Sequence, residues 1–171
     1  MSRPLTYRGY QPTLSVKARA VPIVSTMFGS LLPGLVPVIA QAPVLPPFGL
    51  MTLLAWRLLR PGFWAAWAPL PLGFFDDLVS GQPVGSAMFS WTVAFLAIEA
   101  SERAVLWRDY VQDWLVAAAA IAGCLFAGYL FALFAGGAAP IFAIVPQILA
   151  SMLLFPAVAR LCARLDVWRL K

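Results

Sequence analysis

No histidine occurs anywhere in this chain of 171 residues, and only 11% of it is charged. The first absence removes the commonest metal ligand and the commonest acid-base group near neutral pH. The second excludes an ordinary soluble domain, because 12 basic and 7 acidic residues cannot clothe a surface of this size. Cysteine is nearly missing too. Cys124 and Cys162 lie in apolar runs without metal or redox spacing, so both read as small buried residues. Gly-rich phosphate loops, HExxH, Gly-x-Ser-x-Gly and CxxC are all absent. The serines have no histidine to serve them, and the lysines, Lys17 and Lys171, sit near the two ends of the chain. The reading is therefore a non-enzyme, with no cofactor and no metal.

What is abundant is apolar. Hydrophobic residues make up 62% of the chain and the mean hydropathy is +0.85, the composition of an integral membrane protein. The basic balance (pI about 9.8) would also fit a nucleic-acid binder, so the placement of the basic residues has to decide. They form four small groups: Arg3, Arg8, Lys17 and Arg19; Arg57 and Arg60; Arg103 and Arg108; Arg160, Arg164, Arg169 and Lys171. Each flanks an apolar run instead of lining a phosphate-binding stripe, so the partner expected is the lipid bilayer and not nucleic acid.

A spanning helix needs about 20 mainly apolar residues. Residues 1–20 read as a basic cytoplasmic tail. Six spans follow, at about 21–41, 43–59, 61–79, 86–99, 113–135 and 138–159, and 160–171 closes as a second basic tail. With both ends of the chain cytoplasmic, all 12 Lys and Arg fall on the inner side, a clean positive-inside pattern. The second and fourth spans are short, and the second contains Pro46-Pro47; a tilted hairpin or partly re-entrant segment fits those two as well. The prolines Pro22, Pro33 and Pro37 predict a kinked or broken first span. The linker 100–112 is a candidate interfacial helix, with Glu99 and Arg103 at i, i+4 and Trp107 and Tyr110 at headgroup level. Ala40-Gln41-Ala42 resembles a signal cleavage site, but the long polar lead and the prolines in the apolar run argue against one.

Two constellations stand out. The run Gly73 to Gly85, GFFDDLVSGQPVG, places Asp76 and Asp77 inside apolar sequence, and an acid in a span is a functional candidate by default. If the third helix starts at Pro61, Asp77 lies about 24 Å along it, near the outer edge of the hydrocarbon. Both acids can then be solvated end-of-helix carboxylates. Alternatively, since adjacent helical residues point about 100° apart, one faces water while the other accepts N–H groups of the following turn. That turn, Ser80 to Gly85, has two glycines able to take positive φ and a proline that fixes it. The second constellation is a row of small residues every four positions, Ala120, Cys124, Gly128, Ala132 and Gly136, beside Ala119, Gly123 and Ala127. Such a row lets another helix approach closely, though an Ala-rich helix also yields one by chance.

Arg60-Pro61 followed by Gly73, Asp77, Gly81, Pro83 and Gly85 resembles the central region of the MreD family of bacterial rod shape-determining membrane proteins. There an Arg-Pro helix start precedes a G-x-x-x-D-x-x-x-G-x-P-x-G pattern, and Asp77 takes the family position while Asp76 takes the variable one before it. The specific match covers Arg60 to Gly85; overall length, basic ends and multi-span layout are also similar. The resemblance implies an all-α bundle of six transmembrane helices similar to the substrate-binding subunits of vitamin (ECF-type) transporters. It also implies a non-catalytic inner-membrane scaffold that acts with an MreC-like protein. The wider partners would be MreB filaments, the RodA glycosyltransferase and its penicillin-binding transpeptidase. A fold of that kind equally admits a small-solute transporter or substrate-capture subunit, which would need an enclosed polar cavity.

Overall fold

The computed structural model describes residues 16–35, 45–102, 109–137 and 140–170, and every regular element among them is helical. They are α1 (Val16–Leu35), α2 (Phe48–Leu59), α3 (Pro69–Ser80), α4 (Ser86–Glu102), α5 (Tyr110–Phe134) and α6 (Val145–Arg169), the last entered through a 3-10 turn at Ile141–Ile144. Two helical stretches, Tyr110–Phe134 and Ile141–Arg169, are long and apolar enough to cross a membrane; α2 and most of α4 are shorter apolar helices.

The helices run up and down. Gly29 of α1 abuts Phe48 at the start of α2, while Trp56 near the end of α2 donates its indole N–H to Ser25 at 2.9 Å, so these two are antiparallel. Arg60 reaches Asp166 near the end of α6, and Leu59, Tyr110 and Arg160 share one cavity wall. One end of the bundle therefore gathers the start of α1, the ends of α2 and α6 and the start of α5. The described arginines Arg19, Arg57, Arg60, Arg160, Arg164 and Arg169 all belong to it. The opposite end holds the turn after α3, the Phe89–Phe131 ring contact between α4 and α5, and the bond from Gln147 to the Leu45 carbonyl.

At the centre lies α2, which packs on α1, α3, α5 and α6. Its sequence FGLMTLLAWRLL is apolar all round, and a helix without a polar face is stable only when other elements surround it. All residues from Gly49 to Arg57 are buried, with Leu50, Met51, Leu53, Leu54 and Trp56 at or below 1% exposure. The arginine in this run, Arg57, lays its guanidinium over the Phe95 ring of α4 at 5.1 Å, which compensates part of its lost hydration. It is part of the core and not of a solvated loop, contrary to its grouping by sequence.

Several boundaries move. The first helix begins at Val16, inside the stretch assigned to the tail, and runs on through Pro22 and Pro33, so it is not broken there. Residues 36–44, including Pro37, lie outside the described ones, as do Arg103 and Trp107 of the interfacial candidate. The third helix begins at Pro69 and not at Pro61: Gly62 adopts φ 83° and residues 60–68 form turns, with Pro69 at the start of the helix where its missing N–H costs nothing. α4 starts at Ser86 as expected and extends to Glu102. α6 continues to Arg169 through the second supposed tail, because Cys162, Asp166 and Arg169 sit at helical spacing on its buried side.

Candidate functional site

Gly73 and Asp77 lie one turn apart on the side of α3 that meets α4. A Cβ added to Gly73 would come within 2.7 Å of Met88 Cα and 2.9 Å of the Ala87 carbonyl carbon, so the two backbones pack closer than any side chain allows. This close approach puts the Asp77 carboxylate, 1% exposed, against the start of α4.

The first N–H groups of any helix have no intrahelical acceptor. Usually the residue before the helix caps them with its side chain, but here that residue is Gly85. Asp77 does it instead from the preceding helix. Its Oδ1 accepts from Ala87 N at 2.8 Å and Ser86 Oγ at 3.0 Å; its Oδ2 accepts from Gly85 N at 2.8 Å and Met88 N at 3.3 Å. A carboxylate at this place also meets the positive end of the α4 dipole. Of the two arrangements open to the acid pair, Asp77 therefore adopts the inward, N–H-accepting one.

The turn makes the geometry possible. Gly81 ends α3 in the left-handed region at φ 68°, and Gly85 takes φ 99° where the chain enters α4. Pro83 accepts from Ser86 N at 3.0 Å between them. Gly81 is exposed and a Cβ there would meet open space, so its place in the pattern follows from its left-handed backbone and not from crowding.

Asp76 departs from expectation. It does not simply point to water: it is half-buried on the other side of α3, where its Oδ1 lies 3.1 Å from the position a Cβ on Gly49 would take. Ser30 of α1 crowds the same point. Both acids thus sit beside helix N-termini, Asp77 at α4 and Asp76 at α2. Gly29, Ser30 and Gly49 form the junction of α1, α2 and α3, and were not anticipated. Their signal was two glycines, Gly29 and Gly49, each next to a residue that the junction uses.

The row of small residues on α5 is not one continuous face. Cys124 is buried and its thiol approaches the Ser90 carbonyl of α4 at 3.5 Å; Ala120 and Gly128 are half-buried. Ala132 is exposed, and Gly136 lies past the helix end at φ 91°. At 3.6 residues per turn, positions four apart drift by about 40° each step, so the row spirals off its neighbour. Ala119, Gly123 and Ala127 line a 430 Å³ groove between α4 and α5.

At the basic end, Asp166 receives Arg60 at 2.7 Å and Arg169 at 2.6 Å. Arg169 also stacks over Trp56 and Phe63, at 4.8 and 4.9 Å from the ring centroids. This cluster lies beyond the apolar stretch of α6. Partial burial disfavours the Asp166 charge, but the hydrogen bonds and charges of the two arginines outweigh it and hold the carboxyl below its ordinary range. The hydrogen bond from Arg60 to Asp166 correspondingly raises the Arg60 guanidinium.

Among the described residues no group of three or more His, Cys, Asp or Glu side chains could hold a metal. Compared with protein-family models, curated proteins and solved structures, the chain matches none of them.

Proposed function

We propose that this chain is a non-catalytic, multi-pass scaffold of the bacterial inner membrane, MreD-like in its central motif. It would bind an MreC-like partner and help position peptidoglycan synthesis for rod shape. MreB, RodA and the paired transpeptidase would be direct or indirect neighbours. The observation that carries this reading is the fit between the G-x-x-x-D-x-x-x-G-x-P-x-G pattern and a structural role for its main members. Gly73 allows the α3–α4 approach, Asp77 caps α4, and Gly81, Pro83 and Gly85 shape the turn. A pattern of this kind preserves a surface at one end of a bundle and supplies no reacting group.

In the six-pass arrangement the arginine-rich end is cytoplasmic and the Asp77 turn faces outward. α2 is about 18 Å long, too short to span about 30 Å of hydrocarbon on its own. Its screening by neighbouring helices lets it sit at depth inside the bundle, and the described residues just before it, 45–47, are at least half-buried there. The transporter alternative calls for a polar cavity. The interior around α2 is instead filled by Leu50, Leu53, Leu54, Trp56, Phe95 and Ile121, which favours the scaffold.

Affinity capture from a membrane extract, with a tag on the C-terminal end, tests the proposal. An MreC-like chain recovered at near-equal amounts is the expected outcome. Solute flux by the chain alone in proteoliposomes, without such a partner, would replace the scaffold reading with the transporter one.

A further inference from the structure

A groove of about 760 Å³ runs between α1 and α3 on the outside of the bundle. Its α1 wall is Arg19, Ile23 and Met27, which share one helix face at four-residue spacing. Its α3 wall includes Phe75 and Leu78, and Trp64 and Trp67 stand at its basic end. Trp67 is 66% exposed and lines the same groove as Arg19. No hydrogen bond or ion pair engages Arg19 among the described residues.

We propose that this groove binds an anionic phospholipid, its phosphate on Arg19 and an acyl chain along Ile23, Met27, Phe75 and Leu78. Three observations choose that occupant. The groove carries one cation at one end and apolar side chains along the rest, the charge distribution of an anionic lipid turned inside out. From Arg19 to Met27 is about 12 Å along α1, within the roughly 15 Å of hydrocarbon that one leaflet supplies. The helical walls are bulky, small residues being confined to the turn before α3 (Gly62, Ala65, Ala68), whereas a partner helix that packs closely in lipid needs small residues along a helix face, as on the α4–α5 side. The rim is also held in place, since Phe63 meets Trp64 edge-on at 5.4 Å and is covered by Arg169. An exposed tryptophan and a cation lining one groove are residue types enriched at headgroup level.

The inference rests on the membrane reading, so the experiment has separate arms. Flotation with vesicles and resistance to alkaline extraction test that reading alone; a chain released by alkali would refute it. For the groove, the full chain in detergent is titrated with phosphatidylglycerol and with phosphatidylcholine, and bound lipid is counted by native mass spectrometry. The wild type should prefer phosphatidylglycerol by about fivefold, and Arg19→Gln should abolish the preference. Arg164→Gln, which removes an exposed charge from the same end outside the groove, should leave it intact. Ile23→Trp fills the groove without changing charge and should reduce binding of both lipids. Equal binding of the two lipids by the wild type, or equal losses in Arg19→Gln and Arg164→Gln, would overturn the proposal. So would a partner polypeptide whose retention, in place of lipid, depends on Arg19 and Ile23.

Discussion

Two buried aspartates, one at each end of the bundle, solve the same problem in opposite ways. Asp77 is satisfied by backbone N–H groups and a hydroxyl, with no cation in its set of donors. Asp166 is satisfied by two guanidinium groups, Arg169 buried against Trp56 and Phe63 and Arg60 reaching in from solvent. The first arrangement fixes backbone to backbone, because three of its donors cannot move without unwinding the start of α4. The second ties side chains together, with Arg60 still half in solvent. The outward end in our reading is therefore fixed backbone to backbone, whereas the basic end is fixed through side chains, of which the Arg60 arm is the adjustable one.

Substitutions can break that contrast, and their effects should fall in order. Asp77→Ala leaves three backbone N–H groups without an acceptor in a dry site and should cost about 3 kcal/mol, the largest loss, seen as a lowered melting temperature in detergent. Gly73→Ala should follow at about 2 kcal/mol, because the clash is with the backbone of Ala87 and Met88 and no rotamer relieves it. Asp166→Asn should cost about 1 kcal/mol, since one of its ion pairs is partly solvated and the amide oxygen still accepts a hydrogen bond. Asp76→Ala should have the smallest effect of the four.

The basic end carries a pH dependence of its own. Asp166 has a carboxyl held below its ordinary range in the folded chain, so its contribution is complete above about pH 4 and disappears as the pH falls through the lowered folded value. Melting curves of the wild type between about pH 5 and pH 2 should show this loss, and Asp166→Asn should lack that component.

Much of the helical layout was legible where charges bound an apolar run. α5 lies within a few residues of its expected limits: it starts at Tyr110, just before Asp113, and ends just before the glycines that follow Ala135. The start of α4 followed from the Gly-Pro turn. Arg60-Pro61 looks like a helix start in the sequence, but Gly62 takes φ 83° and the chain turns through residue 68 before α3 begins. Arg160 and Arg164 resemble a tail in the sequence, although Cys162, Asp166 and Arg169 carry helical spacing through it and α6 runs on to Arg169. The central position of α2 was not legible: an apolar run without a polar face looks alike whether lipid or protein surrounds it. For the candidate site, helical geometry made the two acids unequal and the motif pointed to Asp77. The junction of Gly29, Ser30 and Gly49 with Asp76 joins three successive helices; its two glycines hint at a close approach, but which helices meet there depends on how α1, α2 and α3 fold back on one another.

The central claim is that Asp77, by clasping α3 to α4, maintains a surface that a cell-shape partner needs. It is tested most directly by complementation in cells deleted for their own copy, scoring rod shape alongside the amount of chain in the membrane. Wild type and Asp76→Ala should restore rods, and Asp77→Ala should not. Rods restored by Asp77→Ala as fully as by Asp76→Ala would contradict the account.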